Sequence, residues 1–419
     1  MTLGVYWDRS EVGRLDRIDP RSREYSFSYT EAPRAISLSL PLTRETFGPA
    51  ESRPFFEALL PEGAVREQIA RQLKLAASDS FGLLAELGRD CAGALQITEE
   101  GALSEAPSVV WLEGRGLDAM IEDLPVHPLG IDAGARLRLS LAGVQNKAVL
   151  VRDSAGRFGK PLDGMPSSHI LKPQLPVVGE RGGAEPAEGY RGLAANEYFC
   201  MLLAARCGLP AASVELMTLA GRPCLVVERF DRELSAWPPR RIHQEDLCQA
   251  LGLTPDFKYQ KEGWRLPSYR ALADLLDDHS TVPGVDRLAA ARAVVFNFLI
   301  GNADAHAKNI SLLHVESGVR LAPLYDLVST AVYPALSTEL ALAIGDELDP
   351  GAISSIHWLD LAEDFGLNGK AFGRVRGSLV DRVRTEADHL RAQARAQGWH
   401  HPCLGDIVDV IAARAPRAV

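Results

Sequence analysis

Cysteine is scarce in this chain, and lysine almost as scarce. The six cysteines, Cys91, Cys200, Cys207, Cys224, Cys248 and Cys403, never form a CxxC spacing, and the opening MTLGVYWDRS lacks the charged-then-apolar pattern of a signal peptide. A reducing, cytoplasmic setting is therefore expected. Long apolar runs are missing too: the strongest, Ala293 to Ile300, is too short for a span and carries Asn297, so no membrane helix is expected. There is no GxGxxG and no GxxxxGK[ST], which leaves a Rossmann fingerprint and a P-loop unsupported. No Gly-x-Ser-x-Gly elbow or cysteine nucleophile motif occurs, and His400 and His401 lack a spaced third ligand, so covalent hydrolase chemistry and a zinc site are not supported. Cationic charge is short as well, with 45 Lys and Arg against 55 Asp and Glu, a net charge of -10. Such a chain is repelled by phosphate backbones, so a role on DNA requires a partner. Lysine stands only at 74, 147, 160, 172, 258, 261, 308 and 370, where a compact, flexible point charge could be what a site needs.

What is present is the balance of a globular protein: 419 residues, 46% hydrophobic and 24% charged, enough for two or three domains. LGVYW, YSFSY and AISLSLPL read as short strands, and FFEALLPEGAVREQIARQL as helix broken at Pro-Glu-Gly. SFGLLAELG reads as a further helix that begins after Asp79 and ends on Gly88 as a C-terminal glycine. Between 101 and 135 the periodicity weakens and prolines punctuate the chain, which marks a boundary. Strands return at ARLRLSLAG, KAVLVRD, SSHILKP and VELMTLAGRPCLVVERF, with one helix, AANEYFCMLLAARCG, set among them. After Glu245 the pattern is helical to the end. The expected domains are 1–125, a small α+β subdomain; 126–246, a strand-rich lobe; and 247–419, a helical lobe, with a ligand cleft between the last two. Residues 174–191, rich in Gly, Pro and Glu, read equally as a functional loop or as a plain connection.

The chemistry-bearing residues concentrate in FNFLIGNADAHAKNISLL. Asn302, Asp304, His306, Lys308 and Asn309 follow an apolar run, and burying so many polar groups costs free energy unless each is paired. Asp304 to Asn309 is D-x-x-x-x-N, the spacing at which kinase catalytic loops place a base and a magnesium ligand. The same spacing also fits an Asx turn capped by Asn309. Asp326, in APLYDLVST, stands at the distance a hairpin would need to return a second carboxylate to the metal. Lys172 ends the apolar strand SSHILKP, and Glu197 on the next helix is a candidate to hold it toward phosphates; the alternative is a lysine snorkelling to solvent and a glutamate on an exposed face. Gly143 with Lys147 forms either a phosphate-covering turn or an ordinary hairpin.

Seven motifs in order, Ser140 to Lys147 (SLAGVQNK), His169 to Lys172, Asn196 to Tyr198, Arg229 to Arg232, Gln244 to Asp246, Gly301 to Asn309 and Tyr325–Asp326, resemble those of the HipA serine/threonine kinases, toxins of bacterial toxin–antitoxin modules. FFEALLPEG and FGLLAELGRDCAGAL resemble that family's N-terminal domain. The resemblance implies an α+β, two-lobed, protein-kinase-like fold with a strand-rich N-lobe, an all-helical C-lobe and an added N-terminal α+β subdomain. It implies ATP and Mg2+ as cofactors, Asp304 as base, and Asn309 and Asp326 on magnesium. Ala142, Gly143, Val144, Gln145, Asn146 and Lys147 would form the phosphate loop, and Lys172 would meet the phosphates. Glu245, Asp246 and Leu247 would hold adenine, and His306, Ala307, Lys308, Asn309 and Tyr325 would line the phosphate side. Ser140 matches the autophosphorylation position, where added charge would disfavour bound ATP phosphates. The implied substrate is a translation component of the aminoacyl-tRNA synthetase class, and the implied partner a small helix-turn-helix antitoxin (HipB-like) that carries the kinase to DNA indirectly. Leu247 stands where the family often has an aromatic, and Ala303 where ordinary protein kinases have Arg. A small-molecule hydroxyl phosphotransferase and a catalytically silent antitoxin-binding module are the rival readings.

Overall fold

The structure is a computed structural model that describes residues 1–19, 22–101, 103, 106–129, 147–174 and 191–419. Ser140 and Ala142 to Asn146 lie outside the described residues, as does most of 174–191. The chain divides into two compact units: Met1–Pro173 with Thr218–Arg222 and Val226–Asp256, and Gln174–Met217 with Pro223–Leu225 and Phe257–Val419.

Unit 1 begins with β1 (Thr2–Trp7), β2 (Ser10–Arg17), β3 (Tyr25–Tyr29), β4 (Thr46–Phe47), α1 (Pro49–Ala58), α2 (Gly63–Gln72), α3 (Ser80–Leu87) and β5 (Leu95–Glu99). The strands form an antiparallel sheet in the order β4-β3-β2-β1-β5. Leu3, Val5, Leu15 and Phe27 of the sheet are buried in one core with Phe55, Phe56 and Phe81 of the helices. Each such side chain contributes about 1.5–3 kcal/mol by leaving water. The break between α1 and α2 falls at Pro61, which has no N–H to continue the helix. Asp79 caps α3 by accepting from the Gly82 N–H at 3.1 Å and also meets Arg17 at 2.9 Å.

The helix α3 ends at Gly88 as expected, though for a different reason, and one expected strand is corrected. Gly88 has φ -71°, so no left-handed turn calls for glycine there; a Cβ would instead lie 2.6 Å from the Ile97 carbonyl oxygen, and close approach of β5 is the reason. AISLSLPL is not a strand but a tight turn in which Ser37 bridges Leu40. Its alternating serines are polar because they bind: Ser37 Oγ donates to Glu245 Oε2 at 2.6 Å and Ser39 Oγ to the Gln249 carbonyl at 2.7 Å.

The weakly patterned stretch 101–135 contains β6 (Ser108–Trp111) and α4 (Gly116–Asp123). β7 (Ala148–Arg152), β8 (Phe158–Leu162) and β9 (His169–Pro173) follow, and four strands lie in the order β9-β7-β8-β6. The Arg229-to-Arg232 motif closes this unit from inside. Arg229 Nη2 donates to Asp231 Oδ2 at 2.7 Å, Arg232 Nη2 to Asp90 Oδ1 at 2.9 Å and Arg241 Nη2 to Asp90 Oδ1 at 3.1 Å. Burial alone would raise the Asp231 carboxyl, but Arg229 and Arg232 hold it well below the usual carboxylate range; Asp90 is lowered for the same reasons. Burial and the Arg229 charge bring the Arg232 guanidinium down to about 10.

α5 (Leu193–Arg206) belongs to unit 2, and the hairpin of β10 (Val214–Leu219) and β11 (Arg222–Glu228) straddles the division. β12 (Arg232–Glu233), β13 (Arg240–Arg241), β14 (Gln244–Asp246) and α6 (Leu247–Ala250) return to unit 1. Unit 2 then runs through α7 (Tyr269–His279), α8 (Pro283–Ile300), β15 (Ser311–Val315), β16 (Gly318–Leu321), α9 (Ser355–Asp364), α10 (Gly369–Ala396) and α11 (Cys403–Arg414). α8 is the hub, packed against α7, α10 and α11. α10 buries Phe372, Leu379, Val380, Val383, Ala387, Leu390 and Ala394, a helical stripe with polar residues outside. The half expected to be all helical holds one hairpin, β15–β16, whose alternation SLLHV and GVRL was hidden beside the polar cluster. Buried Asp286 of α8 pins it, accepting from Arg320 Nε at 2.9 Å and from the Leu321 N–H at 3.2 Å.

Candidate active site

The polar cluster begins where α8 ends. Gly301 adopts φ +74°, and its N–H and that of Asn302 reach back to carbonyls of the last turn, closing the helix. The turn is then tied on both sides. Asn302 Nδ2 donates to Asn297 Oδ1 at 2.8 Å, while its own Oδ1 accepts from the Asp304 N–H at 3.1 Å. Thr330 Oγ1 accepts from the Ala303 N–H at 2.8 Å and donates to the Gly301 carbonyl at 3.0 Å. The Asp304 carbonyl accepts from the His306 N–H at 2.8 Å and from Asn309 Nδ2 at 3.0 Å. Three hydrogen bonds thus fix the Asp304 backbone while its side chain is exposed. Of the two readings of D-x-x-x-x-N, the bracing turn is the one seen directly: Asn309 ties it through Nδ2, and its Oδ1 is not used in that hydrogen bond.

Buried around this loop are His306, Ala307 and Lys308, with Lys308 in a single 3-10 turn, Ala307–Asn309. Tyr325 spans from the returning hairpin: its Oη donates to the Lys308 carbonyl at 2.6 Å and meets Ser311 Oγ at 2.7 Å. Asp326 follows with φ +56°, a left-handed conformation that few residues other than glycine hold and that clusters at functional sites. Asn309, Tyr325 and Asp326 line one cavity of about 40 Å³ in unit 2, together with Asn297, Asn302 and Ser311 and with apolar side chains such as Leu272 and Val294. Sequence reasoning missed Tyr259, whose Oη donates to Asp304 Oδ1 at 2.7 Å; nothing in KYQK signals it. It also missed Thr330, which shows as a binder only once the loop is folded.

The remaining candidates sit in their own units. Lys172 at the end of β9 is 8% exposed and Lys147 likewise 8%, and Glu197 on α5 is 1% exposed, which excludes a snorkelling lysine and a glutamate on a solvated face. A buried charge is tolerated only when it interacts, and Lys147, Lys172 and Glu197 all do. Next to Glu197, Asn196 donates to the Ser329 carbonyl at 3.0 Å and accepts from the Ser329 N–H at 2.9 Å, so that motif residue joins α5 to the segment after Asp326. Glu245 and Asp246 spend their side chains structurally. Glu245 Oε1 accepts from the Leu38 N–H at 3.0 Å, and Asp246 caps α6 by accepting from the Gln249 N–H at 2.9 Å. What this stretch could offer a ligand is its backbone, and Leu247 is fully buried. No group of three or more His, Cys, Asp or Glu poised for a metal occurs among the described residues.

Comparison with known proteins places this arrangement. Residues 139–390 match the HipA-like C-terminal domain, and residues 3–98 match the HipA N-terminal domain. The chain belongs to the HipA family. It is 39% identical over 393 residues to the putative kinase Y4mE of Sinorhizobium fredii, covering 90% of this chain and 89% of that protein. It is 30% identical over 383 residues to the serine/threonine-protein kinase toxin HipA of Shewanella oneidensis, covering 88% and 84%. A solved structure of Shewanella oneidensis HipA with HipB and operator DNA matches with a TM-score of 0.82 at 26% identity, over 99% of this chain and 97% of that one. The chain is thus a serine/threonine kinase with the kinase-like fold of HipA, and its chemistry is nucleotide- and metal-dependent phosphoryl transfer in kind. No described helix is long and apolar enough to cross a membrane.

Proposed function

We propose that this HipA-type kinase transfers the γ-phosphate of Mg-ATP to a serine or threonine hydroxyl with Asp304 as the catalytic base. The observation that carries this reading is an exposed Asp304 carboxylate on a backbone held by three hydrogen bonds, one of them from Asn309, which with Asp326 lines the neighbouring cavity. Asp304 orients the incoming hydroxyl and takes its proton as the phosphoryl group leaves ADP. Asn309 Oδ1 and the Asp326 carboxylate are the hard oxygens suited to magnesium, which when bound neutralises charge on the phosphates. Lys172, with Glu197 to position it, and Lys147 supply further positive charge. Ala142 to Asn146 form the loop over the phosphates, and Glu245 to Leu247 bind adenine through backbone groups. His306, Ala307, Lys308 and Tyr325 shape the phosphate side. The working domains in this reading are 1–125, 126–246 and 247–419.

The same reading makes the chain a growth-arresting cytoplasmic toxin that phosphorylates an aminoacyl-tRNA synthetase, falls silent when Ser140 is phosphorylated and is neutralised by a small DNA-binding antitoxin. The net charge of -10 supports contact with operator DNA through that partner and not directly. The test is induced expression of the wild type and of Asp304→Asn in a bacterial host lacking the antitoxin, followed by amino-acid incorporation and by thiophosphate labelling of the lysate. Halted incorporation and a labelled synthetase with the wild type, both absent with the variant, are expected. Undisturbed translation, or arrest by both proteins, contradicts the reading.

A further inference from the structure

The backbone of Asp304 is braced three times, but its carboxylate is not. Among the described residues one hydrogen bond reaches that carboxylate, from Tyr259 Oη at 2.7 Å. Tyr259 is itself well held for a residue 39% exposed. Its ring stands edge-on to His306 at 5.2 Å between centroids and 80° between planes, and Lys258 Nζ lies 5.5 Å from its centre. The segment that carries it is strapped across the loop from both sides. The Lys258 carbonyl accepts from the Ala307 N–H at 3.0 Å; the Gln260 N–H donates to the Ala341 carbonyl at 2.9 Å, and Gln260 Oε1 accepts from the Ala343 N–H at 2.9 Å. A phenol fixed in this way selects one rotamer of the aspartate.

We propose that Tyr259 is a positioning residue: its hydroxyl holds Asp304 Oδ1 so that Oδ2 faces the acceptor hydroxyl. The inference rests on Asp304 being the base. An aspartate whose carboxylate rotates freely spends most of its time misaimed, and misaiming lowers the rate of the chemical step without touching nucleotide affinity. A tenfold loss in rate corresponds to about 1.4 kcal/mol, close to the lower end of what a hydrogen bond to a charged group contributes. The rival arrangement on the same geometry is a phenol standing in for the acceptor hydroxyl, which would have to leave before substrate could bind and would slow the reaction when present.

The test uses the full chain, dephosphorylated and incubated with Mg-ATP, comparing wild type, Tyr259→Phe and Asp304→Asn. The rate of phosphate incorporation into the chain is followed by intact mass over a range of Mg-ATP concentrations. Tyr259→Phe keeps the ring against His306 and loses the donor, and Tyr259→Gln restores a donor without the ring. The expected result is a saturating rate about tenfold lower for Tyr259→Phe, an unchanged half-saturating Mg-ATP concentration, and partial recovery in Tyr259→Gln. An unchanged or faster rate in Tyr259→Phe, with Asp304→Asn inactive, overturns the positioning role and leaves the base in place. An altered half-saturating concentration overturns it as well, since a merely structural tyrosine would act that way. Equal incorporation by Asp304→Asn and wild type overturns the choice of base and this inference with it.

Discussion

Gly301 is where the fold and the site meet, and replacing it by alanine tests both. At φ +74° an added Cβ would stand 2.7 Å from Ala331 Cβ and 2.8 Å from Val410 Cγ1, distances at which something must move. A left-handed backbone costs an L-residue about 1–2 kcal/mol. Overpacking costs about 1–3 kcal/mol more. Thermal unfolding of a unit of roughly 200 residues converts each kcal/mol into about 2–4 °C, so Gly301→Ala should lower the melting temperature by at least about 4 °C. The Gly301 carbonyl also accepts from the Thr330 hydroxyl and the Ala331 N–H, both at 3.0 Å, so phosphotransfer should fall with stability. Gly373, inside α10 with nothing within 4 Å of an added methyl, is the control. There the same substitution should stabilise by about 0.5–1 kcal/mol, because glycine is the poorer residue in a helix. Differential scanning fluorimetry of the two variants should move in opposite directions. A Gly301→Ala protein that melts with the wild type would refute the backbone and packing on which the loop geometry depends.

Asp231→Asn removes one of the two buried carboxylates that Arg229 and Arg232 share, Asp90 being the other, and should cost about 3 kcal/mol in chemical denaturation. Because Asp90 and Asp231 are held below their unfolded values, their stabilisation is present above about pH 4 and disappears as the pH falls through the folded values. Melting temperatures between pH 2 and 5 should therefore drop steeply for the wild type and less for Asp231→Asn; equal slopes would contradict the assignment. Asp326→Gly relieves a left-handed aspartate and should raise stability by about 1 kcal/mol while abolishing phosphotransfer; a variant that keeps activity would remove Asp326 from the metal.

The helices were legible because their periodicity is local: α5, α7, α8, α10 and α11 all stand where apolar residues recur at three and four. The polar cluster was legible for a related reason, since five polar residues between two apolar runs demand partners. Which partners they take was not readable. Thr330 lies 27 residues from Ala303 and Tyr259 lies 45 from Asp304, and pairs at that range leave no pattern in the chain. The Arg229-to-Arg232 motif reads the same way: its partner Asp90 is 142 residues from Arg232, and only the fold turns four charges into a buried network. AISLSLPL misled because alternation records which residues are polar, and serines that bind Glu245 and Gln249 look like the outward face of a strand. The hairpin β15–β16 was hidden by its position, directly after residues read for their chemistry.

The most direct test of Asp304 as the base of a kinase is peptide mass spectrometry of the dephosphorylated chain after incubation with Mg-ATP, beside Asp304→Asn. One added phosphate, on Ser140, is expected in the wild type and none in the variant. Phosphate on both proteins, or on neither while both still bind nucleotide, would contradict it.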